Sequence, residues 1–320
     1  MLDNLLFSVN AVLPIFLLVG LGWFLKQKNF LPDAFYSGSE KFVFKIGLPC
    51  MLFLNVVDST VEHLVNNIPL VVFCSVSVVV AFFLLVLVVP LFVKDNDKRG
   101  AFIQGAYRSN FGILGLPLAA NLFGAEGTAT AAILMPAAIL FFNVLAVVIL
   151  TVYAPNDLKK KPSVLVRDIT VSVITNPLII AVVAGLPFLF FDIELPLFVS
   201  KTANDLSGTV SALALISLGA GFKKEALVGK VKYSLAAATV KTAVIPSLAV
   251  LAATLCGFRG VGLGLVFILF GSPTAVSSYI MAKNMKSDHE MAGQILLLST
   301  LMCLVTLFLG IFLLRSATLI

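Results

Sequence analysis

The sequence predicts an all-α integral membrane protein with ten transmembrane helices. The helices form two inverted five-helix repeats, and the fourth and ninth are broken and cross at the membrane midplane. Composition is the first evidence: the 320 residues are 60% hydrophobic and only 12% charged, with a mean hydropathy of +1.08. A soluble domain carries about 25% charged residues. The composition therefore excludes a soluble protein, and the net charge of +6 does not indicate a nucleic-acid partner.

The second observation is a series of apolar segments, each close to the roughly 20 residues that span a bilayer. The segments are Asn4–Leu25, Asp33–Val57, Ile68–Val93, Arg99–Phe123, Thr128–Tyr153, Asp168–Phe190, Leu197–Phe222, Lys232–Cys256, Val261–Ala282 and Glu290–Leu314. The second, fourth, seventh and ninth are the more polar ones.

Basic residues predict the orientation of these segments. Fifteen lysines and arginines lie in the loops after the odd-numbered segments, and three (Lys201, Arg259 and Arg315) lie at the opposite ends. Because cytoplasmic loops are enriched in Lys and Arg, we expect a multi-pass protein of the cytoplasmic (inner) membrane with both termini outside the cytoplasm.

An internal repeat predicts the domain organisation. Residues 1–153 form the first five-helix repeat, Ala154–Pro162 a cytoplasmic linker, and residues 163–320 the second repeat. Glu126 recurs as Glu290, and Gly115–Pro117 resembles Gly271–Pro273 at a similar interval along the chain. An odd number of helices per repeat makes the second repeat inverted, an arrangement that recurs in secondary transporters.

The third observation is that the fourth segment breaks the rules for a lipid-facing helix. It contains Arg108, Asn110, Gly112 and Pro117, which bury a charge, expose backbone or remove a helical hydrogen bond. Such residues are tolerated where the opened backbone lines a polar cavity. The alternative is a simple kink in a packed helix.

The ninth segment is interrupted in the same way, at Ser272, Pro273 and Thr274, and Ser277 follows. When two broken helices meet, their half-helix N-termini direct N–H groups and positive dipole ends at the site. Hydroxyls, amides and free N–H groups suit an anion such as a carboxylate. We therefore predict that these residues, with Asn110, Gly112 and Pro117, bind a small organic anion.

Three charged residues are candidates for coupling or for the access path. Arg108 either contacts the anion or extends to the interface, since it lies about nine residues from the end of its segment, roughly 13 Å along a helix. Lys45 lies on the polar stripe of the second segment, and Asp205 is a candidate proton carrier in the seventh unless it is interfacial.

No cofactor, metal site or catalytic set is predicted. Both histidines, His63 and His289, fall in loops, and there is no Gly-Lys-Ser/Thr motif for ATP. An intramembrane enzyme would need a nucleophile, a base or a metal set, and the sequence offers none.

At Arg108–Leu118 (RSNFGILGLPL) and Phe270–Met285 (FGSPTAVSSYIMAKNM), the chain resembles the auxin efflux carrier family, particularly its bacterial malonate and malate permease-like members. The resemblance covers essentially the whole length. It implies a transport domain of helices three to five and eight to ten that moves against a scaffold of helices one, two, six and seven. It also implies organic-anion substrates and frequently a homodimer.

The resemblance places the family's crossover site at Asn110, Gly112, Pro117, Ser272, Pro273 and Thr274. The plant hormone carriers have an Asn-Pro pattern at each crossing and many have a long central loop, whereas here the breaks read Gly-Leu-Pro and Gly-Ser-Pro and the loop is short. A small mono- or dicarboxylate is therefore a better candidate than auxin. The function predicted is a secondary transporter with elevator-type alternating access. The alternative is a membrane receptor or sensor without transport.

Overall fold

The computed structural model describes residues 2–154, 164, 166–167, 170–171, 174–221 and 231–320. These residues are almost entirely helical, and no β-strand occurs among them. The all-α prediction is therefore confirmed for the described part of the chain. Most of the predicted linker Ala154–Pro162, the start of the sixth segment at Asp168 and the end of the seventh at Phe222 lie outside it.

The α-helices are numbered here in chain order. Up to residue 154 they are α1 (Leu2–Gln27), α2 (Asp33–Phe42), α3 (Leu48–Val57), α4 (Val61–Asn66), α5 (Ile68–Val88), α6 (Asn96–Tyr107) and α7 (Leu116–Val152). From residue 174 onward they are α8 (Pro177–Phe191), α9 (Leu197–Gly208), α10 (Val210–Ala220), α11 (Lys232–Thr239), α12 (Ile245–Leu255), α13 (Gly260–Gly271), α14 (Val276–Asn284) and α15 (His289–Ser316).

Three of the helix junctions are continuous π-helical turns, and each is followed by a helix whose second residue is proline. Proline has no N–H to donate and its ring clashes with the carbonyl four residues earlier. A widened turn accommodates the ring without ending the helix. The turns are Val43–Gly47 before Pro49, Phe111–Gly115 before Pro117 and Val240–Val244 before Pro246.

Six stretches of described helix are long and apolar enough to cross a membrane. They are Asp3–Gln27, Val61–Leu91, Asn96–Val152, Lys232–Leu255, Gly260–Lys283 and His289–Ser316. Large apolar side chains are exposed along them, among them Leu17, Leu87, Leu251 and Leu313. Surfaces of this kind suit lipid rather than water, so the chain is a multi-pass membrane protein. Ten membrane crossings stay a prediction.

The helices pack as two groups with a contact face between them. The α1 group contains α1–α3 and α8–α10, and the α7 group contains α5–α7 and α11–α15. Within the α1 group, α1 and α10 approach closely at two glycines: a Cβ atom on Gly22 would lie 2.0 Å from the Ile216 carbonyl oxygen, and one on Gly219 would lie 1.8 Å from that of Val19. Only glycine permits this approach.

The helix bounds recur along the chain at a constant interval. α6 and α13 begin at Asn96 and Gly260 and end at Tyr107 and Gly271, so the interval between their starts equals the interval between their ends. The same interval separates the ends of α7 and α15. It also separates the two glutamates of the predicted repeat.

The predicted match of Gly115–Pro117 with Gly271–Pro273 does not have this interval, and it stays a prediction. At the common interval Arg108–Asn110 corresponds to Ser272–Thr274. Each of these segments directly follows the last residue of its helix, α6 or α13, so the corresponding positions lie at the helix ends and not at the two prolines.

Candidate functional site

The first interruption lies at Arg108–Asn110. α6 ends at Tyr107, Arg108 is extended (φ −75°, ψ 134°), and Asn110 has φ −86° and ψ 45°. The sequence predicted this break at Gly115–Pro117, and that position is wrong. The helix has already resumed at Phe111, and Pro117 only widens the turn that precedes it.

The second interruption lies at Ser272–Ala275, where the sequence predicted it. α13 ends at Gly271, and Ser272 (φ −61°, ψ 147°) and Ala275 (φ −67°, ψ 139°) are both extended. Pro273 explains the break locally, because a residue before proline is disfavoured in the helical region and proline itself has no N–H. The helix resumes as α14 at Val276.

The two interruptions are hydrogen-bonded to each other, so the broken helices meet at these points. The Asn110 N–H donates to the Pro273 carbonyl oxygen (2.7 Å), and the Thr274 hydroxyl donates to the Gly105 carbonyl oxygen (2.6 Å). The Thr274 N–H donates to Ser299 Oγ of α15 (3.1 Å). Each bond satisfies a backbone group that the loss of helix would leave unpaired. We call Arg108–Asn110 together with Ser272–Ala275 the crossover.

A cavity of about 370 Å³ lies beside the crossover, between the α1 group and the α7 group. Its volume is in the range of small-molecule sites. The α1 group contributes residues of α2, the following π-helical turn, α3, α8 and α10, among them Glu40, Lys41, Lys45, Leu48 and Asn176. The α7 group contributes Arg108, Ser109, Asn110, Gly112, Met135, Asn143, Ala275 and Ser277, among others.

Arg108 is a buried cation on the cavity wall. It is 5% exposed, its Nη2 donates to Asn143 Oδ1 (2.6 Å) and its Nη1 contacts Met281 Sδ (2.7 Å). The ion pairs among the described residues are Lys26–Asp33 and Lys98–Asp95, so Arg108 has no carboxylate partner among them. Because a buried charge is costly unless it is compensated, this guanidinium is suited to an anionic ligand.

Buried polar atoms at the crossover also lack partners among the described residues. They include Asn110 Nδ2 and Ser109 Oγ, on residues that are 5% and 6% exposed. The N-terminus of α14, beside Ser277, has no side-chain cap, and the first N–H groups of a helix have no partner within it. These donors and the positive end of the α14 dipole favour a negative group in the cavity.

The predicted site residues fall into three sets. Arg108, Asn110, Gly112, Ser277 and Lys45 line the cavity, with Lys45 exposed. Four predicted residues are buried and do not line the cavity: Ser272, Pro273 and Thr274 in the crossover, and Pro117 in α7. Asp205 is exposed on α9 and does not line this cavity.

Two asparagines of the cavity wall were not predicted as site residues. Asn143 on α7 accepts the hydrogen bond from Arg108 Nη2. Asn176 caps α8, where its Oδ1 accepts the Leu178 N–H (2.9 Å). The Asn-Pro pair that begins α8 is a cap signal readable from sequence, but its position beside the crossover is set by packing between helices.

A second, open cavity of about 540 Å³ is lined by 95–98 and 286–290. Here Lys98 donates to Asp95 (2.5 Å) and thereby lowers the pKa of that carboxyl below its usual value. No group of three or more His, Cys, Asp or Glu within the described residues could hold a metal. The cavity at the crossover contains the buried guanidinium of Arg108 and the unpartnered Asn110 amide, and it is the candidate functional site.

Comparisons with known proteins agree on a transport role. A family model described as "Membrane transport protein" matches residues 7–311. An "Uncharacterized transporter" of Methanocaldococcus jannaschii is 25% identical, over 91% of this chain and 94% of its own length. A "Putative malonate transporter" of Rhizobium meliloti is 26% identical, over 97% of each chain. An "Uncharacterized transporter" of Methanothermobacter thermautotrophicus is 22% identical, over 94% of this chain and 96% of its own.

Proposed function

Since the chain belongs to the membrane transport protein family, the family of the auxin efflux carriers, we propose that it is a secondary transporter of a small organic anion, a mono- or dicarboxylate. The observation that carries this proposal is Arg108, a buried cation without a carboxylate partner in the described chain, on the wall of a cavity of about 370 Å³. The substrate carboxylate supplies the missing negative charge.

Several groups of the site would bind the anion together. Arg108 provides charge, the unpartnered Asn110 amide provides a directional donor, and the α14 N-terminus provides N–H groups near Ser277. Charge-assisted hydrogen bonds of this kind are about twice as strong as neutral ones. The name of the R. meliloti relative is consistent with a dicarboxylate of malonate size.

The transport mechanism we propose is alternating access of the elevator type. The cavity lies where the α1 group meets the α7 group, so movement of the α7 group would carry Arg108 and the crossover past the static wall of Lys45 and Asn176. A rigid crossover suits such movement, because the hydrogen bonds between its two breaks keep the anion-binding groups together.

The topology that accompanies this mechanism is also a proposal. Residues 1–153 and 163–320 would be inverted repeats, and the constant interval between corresponding helix bounds supports this division. Both termini would lie outside the cytoplasm in an inner membrane, and the protein would form a homodimer. A cysteine-accessibility scan of each terminus in intact cells tests the orientation.

Uptake into proteoliposomes tests the function. We expect at least one of malonate, malate, lactate and indole-acetate to enter above the background of protein-free vesicles. Asn110→Leu should abolish this uptake while the protein still inserts and purifies, and Gly20→Ala, whose Cβ meets open space, is the matched control. If none of the four anions moves, the carboxylate assignment is wrong.

A further inference from the structure

Lys241 is a second buried cation, and the proposed substrate site does not use it. It lies in the π-helical turn Val240–Val244, between α11 and α12, and is 0% exposed. It is not among the residues that line the cavity. The sequence marks it only as a lysine inside an apolar segment.

The Lys241 ammonium is bound to the end of the broken helix α13. Its Nζ donates to the Phe270 carbonyl oxygen at 2.5 Å. In an unbroken helix this carbonyl would accept the N–H of Thr274, four residues later. Because the Thr274 N–H donates to Ser299 Oγ instead, the break leaves the Phe270 carbonyl open, and Lys241 fills the vacated position.

The charge of Lys241 is balanced by the helix rather than by an acid. Its side chain forms no ion pair within the described residues. The C-terminal end of an α-helix carries about half a negative charge from its aligned peptide dipoles. The twelve-residue helix α13 directs that end at the crossover, so the ammonium and the dipole neutralise each other away from water.

This is the position that a transported cation occupies in many broken-helix transporters, where half-helix C-termini and opened carbonyls coordinate Na⁺ or H⁺. We propose that Lys241 is a built-in cation that takes the place of a dissociable coupling ion at the second break, so that this chain needs no sodium. The inference rests on the proposed transport function for its physiological meaning, but the cation site itself can be tested without any substrate.

The first test measures the thermal stability of purified protein. Lys241→Ala and Lys241→Met remove the cation, and we expect the Tm of each to fall by about 5 °C or more, because a buried carbonyl loses a charged donor. Ethylammonium chloride should restore part of the loss in Lys241→Ala, which leaves space for it, and not in Lys241→Met. Choline chloride controls for ionic strength, and Lys201→Ala, at an exposed lysine, should leave the Tm unchanged.

The proposal is overturned if Lys241→Met is as stable as the wild type, or if ethylammonium and choline act alike on Lys241→Ala. If Lys241→Ala does not fold without an added cation, it is purified in ethylammonium chloride and, separately, in choline chloride, and the yields of folded protein are compared. Recovery of folded protein with ethylammonium and not with choline supports a cation site, and equal failure contradicts it.

The second test compares malonate uptake by the wild type in sodium and in choline buffers. We expect equal initial rates, and uptake that requires sodium overturns the inference while leaving the transport function intact. If no anion of the panel moves in either buffer, the proposed function fails. The ethylammonium result then decides on its own whether Lys241 is a structural cation.

Discussion

Removing the hydroxyl of Thr274 should weaken the contact between the two broken helices at the crossover. The change Thr274→Val keeps the shape of the side chain but deletes the donor to the Gly105 carbonyl oxygen, which lies 2.6 Å away. Thr274 is 0% exposed, so no water replaces the bond. A buried group left unsatisfied costs about 1–3 kcal/mol. At about 2–4 °C per kcal/mol, the scale for large domains, we expect the Tm to fall by about 2–12 °C.

The assay is thermal unfolding of purified protein, followed by intrinsic fluorescence. Thr239→Val is the matched control, because the Thr239 hydroxyl bonds only the Leu235 carbonyl oxygen of its own helix (2.9 Å), and such bonds contribute little to helix stability. If Thr274→Val lowers the Tm no more than Thr239→Val does, the bond between Thr274 and Gly105 does not hold the crossover together, and the rigid-crossover argument fails.

Three further predictions concern the cavity, the helix packing and the coupling. Arg108→Gln should weaken anion binding by roughly 10- to 100-fold through loss of a charged hydrogen bond, measured as the malonate-dependent rise in Tm; an unchanged rise removes Arg108 from the site. Gly22→Ala should lower the Tm, because the new Cβ would lie 2.0 Å from the Ile216 carbonyl oxygen. Gly20→Ala, whose Cβ meets open space, should leave the Tm unchanged. Equal effects of the two substitutions on the Tm would contradict close packing of α1 on α10. Asp205→Asn should abolish any response of uptake to a pH gradient if Asp205 carries the proton, and an unchanged response excludes it.

The fold class was readable from sequence because composition and local chemistry determine it. A charged fraction of 12% leaves no soluble alternative, and runs of about 20 apolar residues define helices without reference to anything distant in the chain. The second break was readable for the same reason. Pro273 disfavours a helical Ser272 and provides no N–H of its own, so the interruption is local in origin.

The first break was misplaced because its cause lies elsewhere in the chain. Nothing in Arg108–Asn110 forbids a helix, whereas Pro117 disfavours one, and a proline kink was the natural expectation. In the structure Pro117 only widens a π-helical turn. The break is stabilised by Pro273 and Thr274, which supply an acceptor and a donor to its backbone. The role of Lys241 could not be read from sequence for the same reason, since its partner Phe270 is distant in sequence.

The two breaks are unequal, and this bears on which residues meet the substrate. In the second break the hydroxyls of Ser272 and Thr274 are already bonded, because that of Ser272 donates to the Ile268 carbonyl oxygen and that of Thr274 to the Gly105 carbonyl oxygen. The first break keeps unpartnered donors on Ser109 and Asn110. A ligand gains most from groups that no internal bond satisfies. Recognition by side chains should therefore depend on the first break. The second break holds the first in place through Thr274 and contributes the uncapped N-terminus of α14.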